Sequence, residues 1–417
     1  MTIIPALPYT LTNGTVADAN QVMADFNGIV NGTNSNGAHN GANSDITSLT
    51  GLTTPLTAAQ GGTGIGSPGA AGNMMTSNGG GLWQSVAPGQ GLQADPGGTG
   101  LVMVVAIPSP SGRLSLSSGV PVQTADVANS ATIYYVPYMG NVYPWWDGTR
   151  WNTRALATQL TLNLDNNAAH TGYQAANSNF DLFLYNNGGT DVLVTGPAWA
   201  SNTARSAALA YQNGVLVNAA VMAAKFDTSA STLSIGAGQA TYVGTMRATA
   251  NGQTSHVMNP AAASGGNAPT LGLWNYYNRI SMTGTSLDNG AQYTYTSSTI
   301  RQARASSGNQ ANFVIGVAED VVQGLAYCHM TLNAVATNIS VFGLNLDSTT
   351  SDAVSYFAQN PSGSANLDAA PVLVSSFAPQ LGYHYVSRNE HSDNVHANGF
   401  NASGATRPGV VAVTIRA

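Results

Sequence analysis

Hydrophobic positions along the chain follow two different periods. Near the start, Val22, Phe26, Ile29 and Val30 recur at i, i+4, i+7 and i+8, with Met23 beside them, the spacing of one helical face. Thr15-Val-Ala-Asp18 precedes them with capping-box spacing, an Asp standing where Glu is usual. A short helix is therefore expected to open at Thr15. Before it, Pro5 and Pro8 hold an extended arm that ends in an Asn13-Gly14 turn. The apolar stripe is too small to bury itself in an isolated helix of this length. It has to pack against its own domain, copies of itself or a larger body.

Residues 1–32 thus read as arm and helix. Residues 33–110 are low in complexity, with Asn31-Gly-Thr-Asn-Ser-Asn-Gly37 leading in and Gly-Gly-Thr-Gly at 61–64 and 97–100. As a lone chain such a stretch lacks the apolar residues to order itself; wound with sister chains it makes a thin stalk. Met74, Met75, Leu82 and Trp83 mark a small knob in it.

Beyond residue 110 the period changes to two. Gln159-Leu-Thr-Leu-Asn-Leu164 alternates cleanly, and Phe180–Tyr185 runs through Asn-Asn-Gly-Gly into Val192-Leu-Val-Thr195, a hairpin pattern. Ser201–Gln212 reads as the best helix of the body, capped by Ser201 and stopped at Asn213-Gly214. From 281 to 417 about eight short strands follow one another, the spacing of a β-sandwich or jelly roll. The expected architecture is mostly β: central β-rich modules over 111–280 and a C-terminal β-sandwich tip over 281–417.

Composition narrows the function. Charged residues make up only 7% of the 417, against about 25% in an ordinary globular protein. Lys225 is the sole lysine, and Glu319 and Glu390 are the only glutamates among eighteen acidic residues. Clustered basic residues that neutralise phosphates are missing, which argues against nucleic acid as a partner. No run of eighteen apolar residues is present, so membrane insertion is not expected. The first residues lack the basic and apolar regions of a secretory signal. Cys328 is alone, in a probable strand, and reads as a buried inert thiol.

The order of several motifs along the chain carries a resemblance. Leu7–Asn27 and Leu49–Gly64, with its Thr-Pro-Leu step and Gln-Gly-Gly-Thr-Gly run, resemble N-terminal segments of bacteriophage tail-fibre and related virion appendage proteins. Gly112–Val122, Ile133–Tyr138, Trp146–Trp151 and Trp274–Arg279 resemble pieces of a module that recurs in phage and prophage tail-fibre-like proteins. The resemblance spans about half the chain. It implies an elongated fibre, a homotrimer, assembled in the bacterial cytoplasm and carried on the virion. Tyr9, Val22, Met23, Phe26, Ile29 and Val30 would anchor it to other virion proteins of tail, neck or capsid. The C-terminal domains would contact a host surface glycan or protein. A head or neck fibre or a capsid decoration protein is the close alternative. A glycan-degrading tailspike and an exported bacterial adhesin are the more distant ones.

Candidate chemistry is sparse. Tyr143, Trp145, Trp146 and Trp151 lie in a dense aromatic patch. Such rings stack on sugars or fill the core of a small β-module. His384, Glu390, His391, Asp393 and His396 cluster within thirteen positions and read as a polar loop. His384, His391 and His396 are candidate receptor contacts there; the spacing fits no metal template. Gly64–Gly69 matches G-x-G-x-x-G by letters, but no strand precedes it and Pro68 interrupts the helix that a dinucleotide site needs. Glu319-Asp320 reads as a turn. No catalytic residue, metal or cofactor is assigned, and the expected mode of action is binding.

Overall fold

The computed structural model describes residues 16, 18–36, 74–77, 83–86, 108–147, 151–332, 337–361, 366–401 and 406–417. The chain divides into two compact units, residues 1–104 and 105–417.

In the first unit a helix spans Ala19–Asn36. It opens four residues later than Thr15 because Asp18 is its cap: the Asp18 carboxylate accepts the Asn20 amide at 3.0 Å, and its carbonyl accepts the amides of Gln21 and Val22. It also runs past residue 32, carrying Gly28 and Gly32 within it. Met74–Ser77 and Trp83–Val86 form an antiparallel hairpin where the knob was expected.

The second unit is built of strands. One sheet runs through Thr190–Ala198, Asn179–Asn187, Thr241–Ala250, Gln253–Val257, Thr270–Leu271, Gln310–Ile315, Gly382–Ser392, Asn338–Leu346 and Val354–Asn360. The hairpin between Asn179–Asn187 and Thr190–Ala198 turns on Gly188-Gly189, both at positive φ, as a two-residue loop requires. Residue 280 is no boundary. The parallel pairing of Thr270–Leu271 with Asn312–Phe313 carries the sheet across it. Tyr242 and Trp274 from before residue 280 share one core with Phe313, Phe342 and Val386 after it.

A four-stranded sheet, in the order Ser281–Asp288, Gly409–Arg416, Val322–Tyr327, Val372–Phe377, faces the C-terminal part of the large sheet. Its inward side chains Ala326, Val411 and Val413 complete that core. The body is thus mostly β, built of several sheets, as expected.

The helix expected over Ser201–Gln212 is absent. Leu209–Gln212 is a strand paired with Val215–Asn218 through Asn213-Gly214, both at positive φ. Residues before it are held by Arg205, which reaches buried Asp181 at 2.7 Å and 3.2 Å and lies over the Trp199 ring at 4.5 Å. That long-range pairing outweighs local helix propensity. The segment around His384 is likewise no loop. Gly382–Ser392 is an eleven-residue strand flanked on both sides, with Val386, Arg388 and Glu390 buried.

Candidate functional site

Each expected contact residue has a definite place. Tyr9 lies outside the described residues. On the helix, Met23, Phe26 and Val30 are exposed at 58%, 59% and 51%, while Val22 and Ile29 are half-buried. The stripe is therefore largely uncovered.

The aromatic patch is mostly core. Val142–Trp146 pairs with Trp151–Ala155. Tyr143 and Trp151 are buried, at 1% and 5% exposure, so neither presents a face to a sugar as expected. Trp146 meets Trp151 edge-on at 5.9 Å, and the Arg154 guanidinium covers the Trp145 ring at 4.9 Å. Alternation along the strand forces this outcome: Tyr143 and Trp145 point to one side and pack on the same cluster.

The histidines do not converge. The His384 ring bonds the Asp347 carboxylate at 2.6 Å and the Leu381 carbonyl at 3.0 Å, and it is almost fully buried, which removes it as a receptor contact. His391 is half-buried on the opposite face of the same strand. The His396 ring bonds Asp393 at 2.6 Å. Among the described residues, no group of three His, Cys, Asp or Glu is placed to hold a metal ion.

A different surface gathers polar and aromatic side chains. Strand Leu273–Asn275 is followed by Tyr276, Tyr277, Asn278 and Arg279 before the chain enters Ser281–Asp288. Asn278 adopts φ 55°, and its side-chain amide donates to the carbonyls of Pro110 and Gly112 at 3.1 Å each. This bend sets Tyr276, Tyr277 and Arg279 around one open cleft of about 450 Å³, closed by Ser109 and Arg416.

The cleft is wired together. The turn after Gln310–Ile315 presents Glu319 and Asp320, and Arg279 donates to both, at 2.7 Å and 2.6 Å. Arg416 lies 3.8 Å from the other oxygen of Asp320. Tyr211, on the strand mistaken for a helix, shares a 2.7 Å hydroxyl contact with Tyr276, and both hydroxyls approach Glu319 at 3.5 Å and 3.4 Å. The Tyr277 hydroxyl accepts the Leu216 amide at 3.1 Å, and its ring stands edge-on to Tyr276 at 4.7 Å.

Burial, followed by the Tyr211 hydroxyl and the Glu319 charge, pushes the Tyr276 phenol far above its ordinary range. Burial pushes Tyr277 up to about 12. Both phenols are neutral at any physiological pH. Rings, hydroxyls and guanidinium donors line the cleft, with the Glu319 and Asp320 carboxylates bonded to Arg279, an arrangement suited to binding. Its residues are scattered along the sequence: Trp274–Arg279 is a resemblance motif, Glu319-Asp320 has the pattern of a turn, and Tyr211 falls in a helix-like segment. A run of two tyrosines and an arginine beyond a strand end was the available signal.

No family model matches this chain, and no curated protein matches it. Solved structures with some likeness include one titled "Structure of infectious bursal disease virus Gx strain", at 12% identity and TM-score 0.22, covering 75% of this chain and 68% of that one. Two Bacillus thuringiensis proteins also appear. The Cry1Da tryptic core variant is 9% identical with TM-score 0.16, over 75% of this chain and 53% of that one. The insecticidal delta-endotoxin Cry8Ea1 is 6% identical with TM-score 0.19, over 73% and 52%. At these scores the likeness carries no argument.

Proposed function

We propose that this chain is a structural component of a bacteriophage virion: a fibre-like appendage fixed by its N-terminal segment and touching the host surface with its β-rich body. The observation that carries the reading is the helix Ala19–Asn36, which leaves Met23, Phe26 and Val30 uncovered. An amphipathic helix with an unburied apolar stripe is built to dock. The motif order from Leu7 to Arg279 says on what: a tail, neck or head protein of the particle. The low charge and the sparse catalytic signal favour adhesion over chemistry, and repeated weak contacts by several copies would supply avidity.

Self-association belongs to the same proposal. In the four-stranded sheet, Val372, Tyr327, Val410 and Leu287 form one outward row, and Val374, Leu325 and Ala412 lie in the next. Val372 and Val374 are 59% and 64% exposed. A sheet with one solvated face normally alternates apolar and polar residues; these two rows depart from that except at Thr285, while the row beyond them, Thr283, Thr414, Gln323 and Ser376, is polar. The rows carry no charge, so sister chains around a threefold axis cover them with no ion to desolvate.

Two measurements test the reading. Phe26→Asp with Met23→Asp in the phage encoding this chain should leave a soluble, folded protein absent from purified particles. Undiminished incorporation overturns the anchor. Light scattering of the full chain should give a trimer that Val374→Asp dissociates; a monodisperse wild-type monomer overturns the assembly.

A further inference from the structure

We infer that the Tyr211–Tyr276–Tyr277 cleft is a carbohydrate site selective for neutral sugars over acidic ones. The inference rests on reading the chain as an adhesive appendage and adds to it the place of contact and the class of ligand.

Charge balance gives the selectivity. Two guanidiniums, Arg279 and Arg416, line the cleft, and two carboxylates, Glu319 and Asp320, stand beside them as their partners. Arg279 is committed to both carboxylates at 2.7 Å and 2.6 Å. A carboxylated or phosphorylated sugar would have to break an existing ion pair and would then face the displaced carboxylate. A neutral polyol meets no such cost.

Geometry gives the binding mode. Arg416 and the second oxygen of Asp320 stand 3.8 Å apart, too far for a direct hydrogen bond. One sugar hydroxyl approaching from the open side bridges the pair, donating to the carboxylate and accepting from the guanidinium. Beside this gap lie the rings of Tyr276 and Tyr277, which line the cleft, and that of Tyr211, 66% exposed, whose hydroxyl meets that of Tyr276. Tyr276 already meets Tyr242, Trp274, Tyr277 and the Arg279 guanidinium, so the exposed Tyr211 ring is the one that takes the apolar face of a pyranose. The bonds linking Tyr211, Tyr276, Glu319, Arg279 and Asp320 hold this wall in place before any ligand arrives, so little ordering entropy is lost on binding.

The test uses the full chain on an array of neutral and acidic glycans. It is followed by competition with glucose, galactose, mannose and N-acetylglucosamine against N-acetylneuraminic and galacturonic acids. At least one neutral sugar should compete and neither acid should. Raising NaCl from about 50 to 500 mM should change affinity less than twofold, because no net charge is neutralised. Tyr211→Ala and Arg416→Ala, both at exposed positions, should each weaken binding about tenfold with circular dichroism unchanged. Asp320→Asn frees a guanidinium; it should lose the neutral ligand and acquire salt-sensitive affinity for the acidic sugars, an exchange that a merely structural role would not produce.

Binding of acidic sugars by the wild type, binding unaffected by Tyr211→Ala and Arg416→Ala, or no sugar binding at all overturns the assignment. Such a result with normal incorporation into particles removes the cleft and leaves the appendage reading standing. Loss of the latter is read separately, from particle content.

Discussion

Asp288 offers the sharpest test of how the body holds together. It ends the strand Ser281–Asp288 with no exposure. One carboxylate oxygen accepts from Arg388 at 2.9 Å, Arg304 at 3.3 Å and Asn309 at 3.4 Å. The other accepts the backbone amides of Gly265 at 2.9 Å and Gly290 at 3.1 Å. Burial alone would raise its pKa, but Arg388, the two amides and Arg304 together hold it below the usual carboxylate range. Arg388 is itself buried, at 1% exposure, and depends on this counterion.

Asp288→Asn keeps an acceptor for the two amides and removes the charge. Stranding a buried guanidinium costs about 3–5 kcal/mol. Asp288→Ala also orphans two amides, at about 1–3 kcal/mol each, and should be worse by roughly 2 kcal/mol or more. At about 2 °C per kcal/mol for a unit of this size, Asp288→Asn should lower Tm by about 8 °C. Arg304→Ala leaves Arg388 on the carboxylate and, with its side chain 22% exposed, should cost less than Asp288→Asn. Urea denaturation followed by tryptophan fluorescence measures all three. If Asp288→Asn lies within about 1 kcal/mol of wild type, Arg388 finds its charge balance elsewhere and the account of this core is refuted.

Two further expectations concern titratable groups. Burial lowers the His384 pKa, but the Asp347 carboxylate and the Leu381 carbonyl raise it further, leaving it above the usual 6.5. A raised folded-state value contributes stability that is complete below about pH 6.5 and is lost as pH climbs through the folded value. Denaturation between pH 5.5 and 8.5 should show that decline in wild type and a flatter profile in Asp347→Asn; equal profiles would discard the pair. Burial pushes the Cys328 thiol up to about 11, so a thiol-disulfide reagent at pH 8 should leave it untouched in the native protein and modify it fully in urea.

What was legible in the sequence was local. The stripe Val22, Phe26, Ile29 and Val30 announces its helix because a helix brings those positions together without help from elsewhere. Asn186-Asn187-Gly188-Gly189 announces its turn because glycine takes the positive φ there without strain. The apolar runs after residue 281 announce strands through their β-branched, alternating residues between turn signals, though not which strands pair. Ser201–Gln212 misled because Arg205 is spent on Asp181, a partner over twenty positions away that no window contains. The continuity across residue 280 was hidden in a two-residue parallel pairing with nothing in either segment to mark it.

The candidate site was hidden by density of signal in the wrong place. Seven aromatic residues between Tyr134 and Trp151 attract attention, yet on paired strands such density is what a core is made of, and Tyr135, Tyr143 and Trp151 are buried there. The better indicator lay in the charge count. A chain with so few ionised residues places many of them as internal latches: Asp165 with Lys225, Asp181 with Arg205, Asp288 with Arg388, Glu390 with Arg301. Each latch has at least one member hidden from water. Arg279, Glu319, Asp320 and Arg416 break that habit, for all four reach the surface and they meet beside three tyrosines. Surface ion pairs contribute little to stability. Four scarce charges joined at a cleft are better accounted for by what they bind than by what they hold together.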